Sequence, residues 1–516
     1  MSEIIELQCD YLIIGAGCGG MAFADVILSD SNHNIILLDR NPAPGGHWLA
    51  AYPFVRLHQP GSYYGVTSEP LEPNSTHAGL NYCNTGTEVC EYYQKVLEKF
   101  VRTKRCTFFG DCNYLGNGTF INQTTQQRYQ IKVSKRIVDS TYQNITVPST
   151  SPPKYPVAPS VNLIPVNNIY GITSYPEINF TVIGAGKTGI DCILHLLTVV
   201  GCHPNQITWI VSHDPWLSIR WPMMDPTQLA YESLPMILNF HNCNNLNEFL
   251  SNQEQSGIFT RLDPTVEPTK QRCATISREE IEILKVVRPR IIRQGRVASI
   301  NTTHMVMEKE EPIPFDLKTT IFVDCTANGL TTQEALPIWQ SEKTENNSSK
   351  CGSIVIQPVA TCLIAISAAV IAKIELLCKS SGNDRDRDRF NVLVVPHPIA
   401  VKDNIRAILY SIHNVLHWMS MSELRPWLIS NRLMGSDKSS TWTKIKLLLM
   451  LPKLMLTLDD CGDTMNVLWK EYESNASYVK LVPGRKGALK YKGQCCVGIG
   501  SSLLVVVFGI CIYFLY

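Results

Sequence analysis

The chain has no excess of charge. Its 46 Lys and Arg are balanced by 45 Asp and Glu, a formal +1 over 516 residues. It therefore presents no global basic field, and no nucleic-acid partner is expected. There are 18 cysteines, yet no C-x-x-C pair, and Cys495-Cys496 is the single adjacent pair. Zinc-site spacing and a sequence-local redox dithiol are both missing. The opening residues Met1-Ser2-Glu3-Ile4-Ile5-Glu6 contain neither a basic n-region nor a long apolar h-region. No secretory signal is read there, and a cytosolic start is expected. The sequons at Asn74, Asn117, Asn144 and Asn301 are accordingly read as unmodified loop residues. Only 18% of residues are charged while 45% are hydrophobic, the composition of a globular protein with a large core. The length suits about two to four domains.

What is present is organised around Leu12-Ile13-Ile14-Gly15-Ala16-Gly17-Cys18-Gly19-Gly20. A hydrophobic strand, Tyr11 to Ile14, runs into Gly15-x-Gly17-x-x-Gly20, and a helix of small residues follows. In this pattern Gly15 serves the tight turn, Gly17 lets backbone approach a pyrophosphate, and Gly20 lets helix and strand pack closely. The helix start offers free N–H groups and a positive dipole end to phosphates. The next strand, Ile35 to Leu38, ends at Asp39, an acid placed to accept ribose hydroxyls. Strand, triplet, helix, strand and terminal acid in that order predict a dinucleotide site. A loop from Arg40 through Gly45-Gly46-His47-Trp48 follows, and then Tyr52-Pro53-Phe54-Val55-Arg56-Leu57-His58-Gln59-Pro60 gathers aromatics, cations and an amide.

The pattern occurs twice. Phe180 to Ile183 reads as a strand, Gly184-Ala185-Gly186-Lys187-Thr188-Gly189 repeats the triplet, Ile190 to Val200 reads as a helix and Ile207 to Val211 as the next strand. Gly186-Lys187-Thr188 resembles the end of a phosphate-loop motif, but the upstream glycine that motif needs is replaced by Thr181, which removes a nucleotide-triphosphatase reading. The second unit ends in Ser212-His213 where the first has Asp39. An acid there would repel a 2′-phosphate, so its absence, with His213 and Arg220 nearby, favours NADP(H) over NAD(H). Asp214 works against that preference.

Between and after these units the pattern is coarser. A helix fits Thr87 to Thr103, short strands fit Thr107 to Val138, and a Pro-rich linker runs from Pro148 to Pro165. Residues 222–290 read as helices and loops, and Ile291 to Ile300 and Ile321 to Asp324 as strands. Asp324-Cys325-Thr326-Ala327-Asn328-Gly329 ends the last of these in a small polar turn. Ala360 to Leu377 is a long apolar helix, read as buried because it contains Ser367, Lys373 and Glu375. Asn404 to Trp418 and Lys444 to Leu458 read as amphipathic helices, and Asp384 to Arg389 as a solvated run of alternating charge. Cys495 to Tyr516 has no charged residue over 22 positions and is preceded by Arg485, Lys486, Lys490 and Lys492. This predicts a transmembrane tail anchor with the rest of the chain in the cytosol. The endoplasmic reticulum is favoured over the mitochondrial outer membrane.

Two nucleotide units in one chain, with Gly45-Gly46-His47-Trp48 and Tyr52-Pro53-Phe54-Val55-Arg56 between them, resemble the two-dinucleotide-binding-domain flavoproteins. Within them the chain is most similar to the flavin-containing and Baeyer–Villiger monooxygenases. The chain departs from those patterns. Three residues separate Trp48 from Tyr52 rather than four, His58 stands where an acid often follows the arginine, and the F-x-G-x-x-x-H-x-x-x-W and F-A-T-G-Y segments are missing. The resemblance implies an α/β fold with two Rossmann-like domains. The FAD domain would be discontinuous (residues 1–165 and 311–425) and the NADP domain inserted at 166–310. A helical region at 426–493 and the anchor at 495–516 would follow. It implies FAD on Gly15, Gly17, Gly19, Gly20, Asp39, Arg40, Gly46, His47 and Trp48, with Ala327, Asn328 and Gly329 returning to it. NADP(H) would lie on Gly184, Gly186, Lys187, Thr188, Gly189, Ser212 and His213. It further implies hydride transfer from NADPH to the flavin and a C4a-peroxyflavin that oxygenates a small organic substrate with O2. Arg56 would hold the peroxide or the NADP+, and His58 would move a proton near neutral pH. Two other functions fit the same sequence: a membrane-tethered flavin dehydrogenase passing electrons to a quinone or protein, and a non-catalytic nucleotide sensor at a membrane.

Overall fold

The structure is a computed structural model that describes residues 3–72, 82–173, 176–220, 243, 245–326, 333–340, 351–360, 363–378, 389–395 and 401–434. Two parallel sheets dominate it. In the first, the strand Ile5–Ile14 lies between Arg128–Asp139 and Ile35–Leu38, with Cys106–Phe109 outside the latter. Leu12, Ile13 and Leu37 are fully buried, as the uninterrupted apolar runs require of strands covered on both faces. A hairpin, Cys112–Gly116 with Thr119–Asn122, adds antiparallel to Arg128–Asp139 and turns at Gly116-Asn117-Gly118. The helix Gly86–Arg102 covers this domain. Its start is fixed by a reciprocal cap, in which Glu88 N–H donates to the Thr85 hydroxyl while Thr85 N–H donates to the Glu88 carboxylate.

The second sheet has the order Ile291–Ile292, Ile207–Ile210, Asn179–Ile183, Thr320–Asp324, Leu163–Pro165, all parallel. This corrects the domain boundaries. Thr320–Asp324, expected to begin the return of the first domain at 311, pairs with the second domain instead, Val323 opposite Val182 and Asp324 opposite Ile183. Its Phe322 and Val323 are buried on opposite faces, which suits a central strand of either sheet, so the run itself carries no address. Leu163–Pro165, expected to close the first part, is an edge strand of the second sheet, where a proline is tolerated. The chain regains the first sheet at Ser353–Val355, which pairs parallel with Arg128–Asp139, and at Trp339–Gln340. The first sheet therefore draws its strands from two separated stretches of chain, with the strands of the second sheet between them in sequence.

Two other segments differ from expectation. Residues 222–290 contain strands as well as helices, since Phe259–Arg261 and Lys270–Ile276 flank Pro215–Ile219 in a small sheet. A register shift beside Cys273, whose φ is 57°, interrupts the alternation that would have signalled it. The run Ile291 to Ile300 is broken by Gly295 (φ 82°) into strands of two different sheets.

The apolar helix is Ile364–Leu377, buried against Cys18–Asp30. Its polar residues have partners. Ser367 accepts the Val359 N–H at 3.1 Å, Lys373 pairs with Asp30 at 2.8 Å, and Glu375 accepts the Trp339 indole N–H at 2.9 Å. The helix Val401–Ser420 covers the predicted amphipathic segment. Beyond it, buried Arg432 donates to the carbonyls of Tyr64 (2.6 Å) and Val66 (2.9 Å), which ties the chain back to the first domain. Among the described residues no helix is long and apolar enough to cross a membrane. The predicted helix at 444–458, most of the 426–493 region and the apolar segment 495–516 lie outside the described residues.

Candidate functional site

Both glycine loops open onto one cleft of about 2000 Å³ between the two domains. That is about twice the upper end of the ~300–1,000 Å³ typical of a single-ligand site. Gly15, Gly17, Gly19, Asp39, Arg40, Gly46, His47, Trp48, Arg56 and His58 line it from the first domain, and Gly184, Gly186, Lys187, Thr188, Ser212 and His213 from the second. Gly20 and Gly189 do not reach it. A Cβ on Gly20 would stand 1.9 Å from the Gly15 carbonyl oxygen, and one on Gly189 2.0 Å from that of Gly184. These two glycines hold helix against strand. Ala327, Asn328 and Gly329 lie outside the described residues.

The first loop is built to leave donors free. Gly17 precedes the helix Cys18–Asp30 and no side chain caps that helix, so its first N–H groups remain for an anion. Gly46, at φ 60°, faces Gly17 so closely that a Cβ on it would lie 2.9 Å from the Gly17 Cα. Asp39 is buried and already engaged. Its Oδ2 accepts the Ala16 N–H at 2.6 Å, and its Oδ1 accepts the backbone and side-chain N–H of Asn41. It braces the glycine loop first, and of about four acceptor positions on a carboxylate one remains for a ribose hydroxyl. Trp48 donates its indole N–H to the Tyr64 hydroxyl at 2.7 Å, and the His47 ring lies beside it at 5.1 Å. His47 is accessible from the cleft, yet enclosure by the walls lowers its pKa to about 4.

The second loop follows the same plan. Gly184 has φ 126°, Gly186 precedes the uncapped helix Lys187–His195, and a Cβ on Gly186 would meet nothing within 4 Å. Lys187 pairs with Asp191 one turn on. Tyr52, from the first domain, donates its hydroxyl to the same Asp191 at 2.6 Å, and Phe54 stacks on His195 at 4.0 Å. The segment after Trp48 thus crosses over and docks on the helix of the second glycine loop.

That crossing sets the state of His58. Burial lowers its pKa to about 3, assisted by the charges of Lys187 and Arg220. A pKa this low favours the neutral imidazole, whereas the sequence leads to the expectation of a proton carrier near neutrality. Arg56 lies exposed on the cleft wall, donating to the Cys83 carbonyl at 3.0 Å, with its guanidinium 5.4 Å from the Tyr82 ring.

At the far end of the second loop Asp214, which weakened the case for a 2′-phosphate, is buried and held by Arg293 through bonds of 2.9 and 3.1 Å. Lys270 and Arg296 line the cleft there and, after burial, are the largest influences lowering the pKa of His213. Glu308 is the acid nearby, and it accepts the Arg296 N–H at 3.1 Å. Lys270 opens the strand Lys270–Ile276 and Arg296 lies just before Val297–Ile300, both beyond the reach of the local motif, so sequence reasoning missed them.

No protein-family model matches the chain. The uncharacterized proteins Rv2000 of Mycobacterium tuberculosis and Mb2023 of Mycobacterium bovis are each 34% identical to it over 437 residues, covering 83% of this chain and 78% of theirs. The chain belongs to the family of these mycobacterial proteins. Among solved structures it is similar to a flavin-containing monooxygenase from Stenotrophomonas maltophilia (14% identity, 72% of this chain and 99% of that one, TM-score 0.43). It is also similar to cyclohexanone monooxygenase from Rhodococcus sp. Phi1 bound to NADP+ (14%, 72% and 83%, TM-score 0.44) and to the bacillithiol disulfide reductase Bdr from Staphylococcus aureus (12%, 72% and 100%, TM-score 0.37).

Proposed function

We propose that the chain is an FAD-dependent NADPH oxidoreductase of the monooxygenase kind. One observation carries this reading: two glycine loops, each with an uncapped helix start, face a single cleft large enough for two dinucleotides. The residues fit the groups assigned to them. The Gly15–Gly19 loop and Asp39 would hold the FAD pyrophosphate and ribose, and Gly46 to Trp48 would border the ring system. Gly184 to Thr188 would hold the NADPH pyrophosphate. When bound, a reduced flavin supplies two-electron chemistry toward O2 or another acceptor. The chain's own part is to orient both cofactors, to exclude water by the crossing segment Tyr52 to His58, and to keep His58 neutral.

The test is paired measurement of NADPH oxidation and oxygen uptake by FAD-loaded protein. Oxygen uptake matching NADPH oxidation supports the reading. A second reading is favoured by the apolar segment 495–516, which would bring the chain to a lipid-soluble acceptor. NADPH oxidation that requires an added quinone and consumes no oxygen establishes that dehydrogenase instead.

Donor choice follows from Lys270, Arg296 and His213. Lys270→Ala and Arg296→Ala are each expected to raise the KM for NADPH by about tenfold, the worth of one charge-assisted hydrogen bond, and to leave the KM for NADH unchanged. Equal loss with both donors, read from steady-state kinetics, places the 2′-phosphate elsewhere.

Membrane attachment through Cys495 to Tyr516 is part of the proposal. A helix of 22 residues is about 33 Å long at about 1.5 Å per residue, enough for a hydrocarbon core of about 30 Å. The four preceding cations resist translocation and suit anionic headgroups. The endoplasmic reticulum is the favoured destination. The full chain is expected in the pellet after high-speed centrifugation without detergent, and a form truncated after Lys492 in the supernatant with its NADPH oxidation retained. A full chain that stays in the supernatant removes the anchor.

A further inference from the structure

The segment from Trp48 to Leu57 is held in turn by the cores of both parallel sheets. Trp48 packs against the core of the first sheet, and Leu57 is buried in it. Between them Tyr52 is buried in the core of the second sheet, with Phe54 and Val55 packed against it. Toward the first sheet the hold is made by backbone. The Val55 carbonyl accepts the Gly86 N–H at 3.1 Å, and the Leu57 N–H donates to the Asn84 carbonyl at 2.8 Å, both at the capped start of the helix Gly86–Arg102. Toward the second sheet it is made by side chains. The Tyr52 hydroxyl donates to Asp191 Oδ2 at 2.6 Å, while Oδ1 of the same carboxylate holds Lys187, the first residue of the helix Lys187–His195. Thr188 also bonds that hydroxyl. Phe54 stacks on His195, the last residue of the helix, at 4.0 Å with the rings 10° apart. The helix that begins at the second glycine loop is therefore gripped near its start and at its end by the segment whose other side carries Trp48.

We infer that Tyr52 is a positioning residue: through Asp191 it sets the second glycine loop against Trp48, and so sets the separation across which NADPH, in becoming NADP+, passes a hydride to the flavin. The inference rests on the functional reading above for what the two loops hold. Packing alone does not call for a tyrosine, because a phenylalanine would fill the same core; the hydroxyl has a purpose only in its partner. That partner is a carboxylate whose side chain is only 13% exposed, where a charge-assisted bond is short and strong. A ring stack such as that of Phe54 on His195 tolerates sliding. The bond at 2.6 Å fixes distance and direction together. The one proton of the Tyr52 hydroxyl is committed to Asp191 and none is left to donate to a phosphate. Loss of the hydroxyl therefore falls on the rate of transfer and not on affinity for the donor, and transfer is the more sensitive of the two to small displacements.

The test compares Tyr52→Phe with the parent, each as FAD-loaded full chain in mild detergent. Calorimetry gives NADP+ affinity, a titration gives the change that saturating NADP+ makes in the visible flavin band, and anaerobic stopped flow gives the reduction rate at saturating NADPH. Tyr52→Phe is expected to keep its FAD content and its NADP+ affinity, and to show a smaller change in the flavin band. Its saturated reduction is expected to slow by at least about tenfold, against the roughly 100-fold that a misplacement of about 1 Å costs. Asp191→Ala is expected to slow saturated reduction alike, and Tyr52→Phe added to it to cost nothing further, the mark of two residues acting through one contact. Tyr52→Phe with the parent's saturated rate and flavin-band change overturns the inference and leaves the oxidoreductase standing. A slow rate that more NADPH restores makes Tyr52 a binding residue and overturns the positioning role. A further loss in the Asp191→Ala background overturns the assignment to this contact. A parent whose flavin band responds to NADP+ but which NADPH does not reduce overturns the oxidoreductase, and a response diminished in Tyr52→Phe then upholds the positioning role. A parent that neither responds nor is reduced overturns both.

Discussion

Gly17→Val is expected to purify as folded, colourless protein. The Gly17 Cα faces Gly46 across the mouth of the first loop, where even a Cβ would lie 3.4 Å from the Gly46 Cα. The two branches of a valine have to point into the cleft, over the uncapped N–H groups of the helix Cys18–Asp30. Those donors are the proposed pyrophosphate seat. Losing two hydrogen bonds to a charged group, at about 1.5–3 kcal/mol each, weakens binding by more than about 100-fold. The strand beneath keeps its core, because Leu12 and Ile13 are untouched and fully buried. Flavin content by absorbance, set against the melting curve of flavin-free parent protein, separates loss of the ligand from loss of the fold. Yellow Gly17→Val protein with normal flavin content refutes the assignment of this loop.

The parts of the fold that sequence made legible are those whose cause is local. Gly15 to Gly20 and Gly184 to Gly189 each contain their own turn, their own close approach and their own helix start within six residues. The helix Ile364–Leu377 was readable as buried because Ser367, Lys373 and Glu375 need protein partners, and each has one. The sheet to which Thr320–Asp324 belongs was not readable. A short apolar run covered on both faces looks the same at the centre of either sheet, and its partner, Asn179–Ile183, lies about 140 residues earlier. The same limit applies to charge. Asp214 counts against a 2′-phosphate until Arg293, nearly 80 residues on, is seen to neutralise it. The surroundings that lower the pKa of His58, burial together with Lys187 and Arg220, are likewise invisible in the local sequence. Membership and ionisation are tertiary properties, and a motif that fixes backbone shape contains neither.

The two glycines of the second loop give opposite expectations from the same substitution. Gly189 lies under the turn, where a Cβ would stand 2.0 Å from the Gly184 carbonyl oxygen, an oxygen that also accepts the Trp209 indole N–H at 2.8 Å. Gly189→Val therefore forces strand and helix apart and breaks a buried bond, and a loss of about 1–3 kcal/mol or more in stability is expected. Gly186 has φ −77°, a value open to any residue, and its Cβ direction is free for 4 Å. Gly186→Val is expected to fold with an unchanged melting temperature and a full complement of FAD. Its side chain nevertheless occupies the cleft in front of the uncapped helix Lys187–His195, where the NADPH pyrophosphate is proposed to lie. Reduction by NADPH in anaerobic stopped flow is expected to slow by more than about 100-fold, the consequence of losing at least two charge-assisted hydrogen bonds. Dithionite is expected to reduce the bound flavin as it does in the parent, because the first loop is intact. Normal reduction by NADPH in Gly186→Val sinks the assignment of the second loop to the donor, whatever becomes of the first.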